Sequence, residues 1–403
     1  MKDQLDIFIF IDALGWEIVR RHEFLSEELP FRRELAMQFG YSCTAIPTIL
    51  TGCRPFQHGH LSLFYYDPEN SPFKALKIFH YLLRPRSFWN RGRVRNLLSR
   101  LLRKWYGYTG YFQLYKVPFD RIGYLNYCEK NDMFAPGGIY PIPNLQDRLI
   151  EAGVPYHLSN WQASEAVNLA EATRAIRDDK TQFLFIYLAD LDALLHDKVG
   201  QDDAVQRKLA DYQNQIRNLL AEAKKHARKV TLTVFSDHGM TPLRGSVDLQ
   251  KVIAESDLQF ARDYAACYDS TMLRAWFLKP GVKETFFDKI NSATFPGHWL
   301  SHAEKVRYGI DGGPVNYGDE IFLLAPGYQI VPSDMGLKAL PGMHGYQPDD
   351  KDSLAAVLST KPIPDHVREV ADLFSLMLDS IEHSAMNSAQ PGMQASPERK
   401  TIH

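Results

Sequence analysis

The sequence predicts an α/β fold, a mostly parallel sheet with helices on both faces and an inserted cap. Three observations predict it. Apolar runs at residues 5–11 (LDIFIFI), 183–189 (FLFIYLA) and 230–235 (VTLTVF) read as strands buried on both faces. Segments of helical periodicity lie between them, as crossovers between parallel strands require. Each run also ends at an acid: Asp12, Asp190 with Asp192, and Asp237.

The elements follow in chain order. After the first run, residues 44–50 read as the start of a helix, with Pro47 in a tolerated first turn. Residues 61–140 break the strand–helix rhythm and read as an inserted cap, partly helical. Within it, residues 71–119 hold eleven lysines and arginines and no acid, interleaved with leucine and aromatic residues. That segment is either a solvated basic face or a contact for an anionic or amphiphilic partner, such as the surface of an anionic membrane. Helical periodicity returns at 164–177 and 204–225. Residues 258–340 form a second insertion, with strands near 270–277 and 320–324 and a helix around 283–291. Residues 1–60 and 141–380 make up the core domain. The polar segment 384–403, which bears Ser, Pro and Gly, reads as a disordered tail.

Composition narrows the class. With 403 residues, 45% hydrophobic and 23% charged, the chain can bury a large core. A net charge of -2 gives no pull toward a nucleic-acid polymer. Four scattered cysteines (Cys43, Cys53, Cys128, Cys267) suit neither a disulfide framework nor a CxxC zinc site. No run approaches the ~18 apolar residues of a spanning helix, and no secretory leader is recognisable, so the expected setting is cytoplasmic.

The chemistry lies at the strand ends, because ligand sites of open α/β sheets lie outside the carboxyl ends of their strands. Asp192 and His196 are four apart, which puts them on one helix face and lets both bind one metal. His344, in PGMHGY, can complete that set, with glycines allowing close backbone approach. Asp237 and His238, in SDHGM, can join Asp12 around a second metal and leave a position for Ser42 or substrate. Being adjacent, these two ligands can equally be divided between the metals. Three aspartates and three histidines suit two divalent ions, Zn²⁺ or Mn²⁺. Such a pair can clamp both oxygens of a phosphoryl displacement.

The order Asp12, Ser42, Thr51-Gly52, Pro55 with His58-Gly59, the DxxxH of Asp192 and His196, SDHGM and HGY resembles the alkaline phosphatase superfamily. Within it the chain is most similar to the type I phosphodiesterase / nucleotide pyrophosphatase branch, over residues 5–60 and 180–347. The resemblance implies an alkaline-phosphatase-like core and a phosphodiesterase working through a covalent seryl-phosphoryl intermediate. It implies Ser42 as nucleophile, nine residues before the Thr of the TG pair. It implies metal one on Asp192, His196 and His344, and metal two on Asp12, Asp237, His238 and the Ser42 oxygen. The substrate would be a small-molecule or lipid-linked phosphoester.

Some positions depart from that pattern. The branch usually carries Thr as nucleophile and, three residues later, an Asn that binds a phosphoryl oxygen; here that later position is Ala45. Thr44 competes as nucleophile if the local alignment slips. Cys43 invites comparison with sulfatases, but their signature needs Arg where this chain has Pro47. His58 and His60 are open to a site role or to closing a turn. The alternatives are a phosphomonoesterase or phosphoryl-group transferase on the same fold, or a catalytically silent binding protein. Nothing between Ser42 and Gly52 is basic, which favours a diester over a dianionic monoester.

Overall fold

The LDIFIFI run alternates two side-chain shapes, and its strand, Lys2–Ile11, uses both faces. Ile7, Ile9 and Ile11 point to one face, Phe8 and Phe10 to the other. In this computed structural model, which describes residues 1–76 and 86–389, the strand is central in a six-stranded sheet. The order is Phe31–Leu35, Ala355–Ser359, Ala227–Phe235, Lys2–Ile11, Phe183–Leu188, Tyr156–Leu158. Lys2–Ile11 pairs in parallel with both neighbours, and Phe183–Leu188 with Tyr156–Leu158. Ala355–Ser359 runs antiparallel to both of its neighbours, Ala227–Phe235 and the edge strand Phe31–Leu35.

The isoleucine face is covered by helices Glu165–Arg177 and Asp202–His226, through residues such as Ile176, Leu209 and Ile216. The phenylalanine face meets Ile46 and Ile49 of helix Ser42–Thr51 and Met377 and Ile381 of helix Leu373–Ala389. Its rings stack on each other, Phe10 on Phe235 at 5.4 Å. Each such side chain, fully buried, contributes about 1.5–3 kcal/mol. This is the expected three-layer arrangement, with helices on both faces of the sheet.

Two details differ from the sequence reading. The helix begins at Ser42, so Pro47 is its sixth residue, beyond the first turn. There it lacks the N–H that would bond the Cys43 carbonyl, and on either side of it the hydroxyls of Thr48 and Thr51 bond back to the carbonyls of Thr44 and Pro47. The last helix continues to Ala389, through the first residues expected to be tail; residues 390–403 lie outside the described residues.

The two inserted segments share a core. In residues 61–140, strands Phe64–Tyr66 and Leu125–Tyr127 pair antiparallel, and helix Gly92–Tyr106 packs beside them. In residues 258–340 a four-stranded antiparallel sheet forms, in the order Tyr264–Tyr268, Met272–Phe277, Glu320–Leu324, Gly297–Trp299. Phe73, Phe112 and Tyr127 of the first segment pack against Ala265, Cys267 and Trp276 of the second. Arg274, fully buried, joins them: its Nε donates to Asp269 Oδ2 at 2.7 Å and its Nη2 to Ser62 Oγ at 3.0 Å and the Phe64 carbonyl at 2.7 Å.

Candidate active site

Parallel register brings the strand ends to one edge. Ile11 lies beside Leu188 and Phe10 beside Phe235, so the chain leaves all three strands at the same level. Asp12, Asp192 and Asp237 follow there. Asp190, also at a strand end, takes another role: it pairs with Lys208 at 3.1 Å on the surface. Helix Asp190–Lys198 carries Asp192 and His196 one turn apart, with His196 Nε2 3.5 Å from Asp192 Oδ2. His344 Nε2 lies 3.8 Å from Asp192 Oδ1. Asp12, Asp237 and His238 form a second group, His238 Nε2 being 3.5 Å from Asp12 Oδ1 and 3.2 Å from Asp237 Oδ2. Ligand atoms within each group lie within 4.8 Å of one another. The groups adjoin, because the His238 and His344 rings stack at 3.7 Å.

Partners outside the groups hold the ligands in place. His196 Nδ1 bonds the Gly342 carbonyl at 2.9 Å and His238 Nδ1 the Gly239 carbonyl at 2.8 Å, so each ring donates there and turns Nε2 inward. Tyr187 donates to Asp12 Oδ2 at 2.7 Å. Ala13 takes a left-handed φ of 63°, and its N–H donates to Asp237 Oδ1 at 3.2 Å. The opposite oxygens, Asp12 Oδ1, Asp192 Oδ1 and Asp237 Oδ2, are buried and accept no hydrogen bond among the described residues. These are the oxygens that face the histidine Nε2 atoms. Two buried acids, Asp12 and Asp237, and the half-buried Asp192, each with one buried oxygen left bare, need cations. The residues therefore fit two divalent metals.

The protonation tendencies agree. Burial, reinforced by the charges of Asp237 and Asp192, pushes Asp12 well above the carboxylate range. Burial also raises Asp237, with Asp192 adding. Burial, then His238 and His196, holds His344 far below the usual imidazole value, in the neutral form that ligates metals.

Ser42 is the first residue of its helix, and its Oγ lies 3.2 Å from His238 Nε2. Thr44 is fully buried; its hydroxyl donates to the Leu61 carbonyl and accepts from the Tyr41 N–H. The Cys43 thiol lines the cleft, and burial pushes its pKa well up, away from a reactive thiolate. Ala45 is buried and offers no side-chain donor. His58 lies outside both groups: its Nε2 bonds Thr48 Oγ1 at 3.0 Å and its Nδ1 accepts the His60 N–H at 3.1 Å, closing the turn at Gly59.

A cleft of about 490 Å³ opens over Ser42, Asp192 and His344. Both inserted segments wall it, with Tyr111, Tyr115 and Phe134 from the first and Ile330, Met335 and Leu340 from the second. The sequence left the cap's basic residues as either a solvated face or a contact for an anionic or amphiphilic partner. None of them lines the cleft among the described residues, where Lys338 of the second segment is the only lysine or arginine. Arg95 is structural: it is buried against the Phe119 ring and donates to the Val117 carbonyl at 2.8 Å. Lys77 and Arg84 lie outside the described residues. Sequence reasoning missed Tyr187, Glu129, Trp161 and Lys338. Tyr187 left a signal, a polar-tipped ring in an otherwise aliphatic and phenylalanine strand just before the acids.

A parallel-sheet sandwich with two metal-binding groups over its strand ends defines a metallophosphoesterase of the alkaline phosphatase type. More narrowly, the chain belongs to the type I phosphodiesterase / nucleotide pyrophosphatase family, whose profile matches residues 7–285. No curated protein matches it in sequence. Among solved structures, murine ectonucleotide pyrophosphatase/phosphodiesterase 5 is similar in fold at 15% identity and a TM-score of 0.63, covering 94% of this chain and 95% of its own. The human protein of that name matches at 12% identity and a TM-score of 0.66, with the same coverage. An inactive variant of the murine protein in complex with AMP matches at a TM-score of 0.62 and 15% identity, again over 94% and 95% of the two chains.

Proposed function

We propose that this phosphodiesterase uses two metals and a seryl nucleophile, Ser42, and cleaves a small diester with an apolar or aromatic substituent. The observation that carries the reading is the ring of bare carboxylate oxygens beside a serine at a helix start. Asp192, His196 and His344 would hold one ion and Asp12, Asp237 and His238 the other, with Ser42 beside the second. When bound, the ions supply Lewis-acid polarisation of the phosphoryl group and neutralise the three clustered acids. The ligand chemistry suits Zn²⁺, with Mn²⁺ sharing it.

Ser42 Oγ attacks phosphorus in line, forming an Oγ–P bond as the bond to the leaving alcohol breaks. Water then hydrolyses the seryl ester, returning the serine hydroxyl and releasing a monoester. With Ala45 offering nothing, the N–H groups of Ser42 and Cys43 are the nearest donors from the helix start, where the helix dipole favours an anion. One lysine on the cleft wall suits a diester monoanion better than a monoester dianion. Tyr111, Trp161 and Phe134 would take a base or an acyl chain, and AMP bound to the murine relative gives the size class. Four free cysteines accord with a reducing, cytoplasmic setting.

The test is metal analysis with a paired assay. Metal-replete protein should hold two ions and hydrolyse bis(p-nitrophenyl) phosphate faster than p-nitrophenyl phosphate. One ion or none, or monoester preference, would refute the reading. Stripping metal with a chelator should also lower the melting temperature, and zinc at 100 times its Kd should restore about 2.7 kcal/mol per site. A melting curve insensitive to chelation would argue that the acids are balanced in another way.

A further inference from the structure

The Gly92–Tyr106 helix of the cap turns two unlike faces outward and inward. Its inner face packs Leu98, Leu102 and Tyr106 into the shared core, with Arg95 and Ser99 bonded beneath. Its outer face bears Leu97, Leu101 and Trp105, spaced four apart and exposed at 58%, 57% and 84%. Single exposed apolar side chains are ordinary; three on one helical stripe are not. Phe88, just before the helix, is also exposed. Beside the stripe stand Arg93, Arg100 and Lys104, exposed and without an ion-pair partner among the described residues.

We propose that this outer face docks on an anionic phospholipid bilayer. The charge pattern selects that occupant. A protein interface core is depleted of charged residues, whereas here a cation adjoins the apolar stripe at nearly every turn. An anionic bilayer offers both counterparts, phosphates at the depth of the cations and acyl chains below them. Trp105, at the end of the stripe, has the amphipathic ring favoured at that boundary. No described helix is long and apolar enough to cross a membrane, so the contact would lie along its surface. The helix that bears this face also borders the cleft, because Arg103, on another side of it, lies over Trp161, a cleft wall, at 5.7 Å. The diester would thus be processed beside a lipid surface.

The experiment is co-sedimentation of the full chain with vesicles of phosphatidylcholine alone and of phosphatidylcholine with phosphatidylserine. Wild type should partition onto the anionic vesicles only, and release as salt rises. A Leu97→Ser/Leu101→Ser/Trp105→Ser variant and an Arg93→Glu/Arg100→Glu/Lys104→Glu variant should each lose at least about tenfold in partition. Both should keep the wild-type melting temperature and turnover of a small soluble diester, which separates this idea from the catalytic one. No binding to anionic vesicles, equal binding to neutral ones, or unimpaired binding by either variant would overturn the proposal. So would finding that the stripe serves only to pair two copies of the chain.

Discussion

Ser42 and Thr44 are two positions apart, and helix geometry gives them opposite surroundings. Ser42 Oγ faces His238, whereas the Thr44 hydroxyl is bonded to backbone inside the protein. Ser42→Ala should therefore cut turnover by at least about 10³-fold with little change in metal content. Thr44→Val should instead lower stability by about 1–2 kcal/mol and leave the chemistry largely intact. Steady-state kinetics and denaturation on both variants decide this, and the reverse pattern would move the nucleophile to Thr44. Glu129 carries the second prediction at this scale. Burial, with Asp132 adding, pushes its carboxyl up to about 8 from 4.5. Between those values the folded state keeps a proton that the unfolded chain has lost, so stability falls as pH rises, by up to about 1.4 kcal/mol per unit. The contribution is complete below pH 4.5 and gone above about 8. Glu129→Gln should flatten that slope and gain on wild type at alkaline pH in urea denaturation; parallel curves would mean that Glu129 is already ionised. Sequence could propose Ser42 and five of the six candidate ligands because each lies in a short motif at or near a strand end. It could not single out Glu129, since only the fold shows that this carboxylate is shut among tyrosines.

The elements most legible in the sequence are the strands buried on both faces. Their register then sets Asp12, Asp192 and Asp237 at one level without further instruction. Less legible is the loop that brings in His344, which lies far along the chain. Gly345 has a φ of +90°, and a Cβ there would meet Tyr41 Cε1 at 2.7 Å. The loop is held by Thr271, whose Oγ1 donates to the Gly345 carbonyl at 2.8 Å and also bonds the Tyr41 hydroxyl at 2.8 Å. Gly345→Ala must therefore shift both His344 and the start of the Ser42 helix. It should weaken metal affinity at the His344 group and reduce kcat by about 10²-fold, as misplacement near 1 Å does. Metal titration with kinetics tests this; wild-type affinity and rate would show that the loop adapts freely. The cap's basic residues were the misleading element. Their run suggested one continuous basic face, but lysines and arginines reach outward over apolar cores, and Arg95 was drawn inward to bond carbonyls.

For the molecule as a whole, the core domain builds the metal groups and the two inserted segments build the walls. Arg274 joins those segments, and removing a buried guanidinium that bonds one carboxylate, one hydroxyl and two carbonyls leaves the Asp269 charge without its cation, with only the Ser62 hydroxyl, among the described residues, still donating to it at 3.2 Å. Arg274→Ala should cost about 3–5 kcal/mol. Because Arg274 bonds none of the candidate metal ligands, residual folded enzyme should keep its metals while its KM for a bulky diester rises more than for a small one. Loss confined to kcat with unchanged KM would place Arg274 in the chemistry instead. Sequence set these segments apart by their break in the strand–helix rhythm, yet could not show that they touch, because the aromatic and leucine residues that join them are spread over some 200 positions with no periodic signature. The common core of Phe73, Phe112, Cys267 and Trp276 bears on how such an enzyme can change its diet. A lineage, or an engineer, that exchanges only the first segment for a relative's would leave half an interior facing water and half a wall unmatched. Substrate preference in this architecture should be inherited as a linked pair of segments, and hybrids should work only when both come from the same parent.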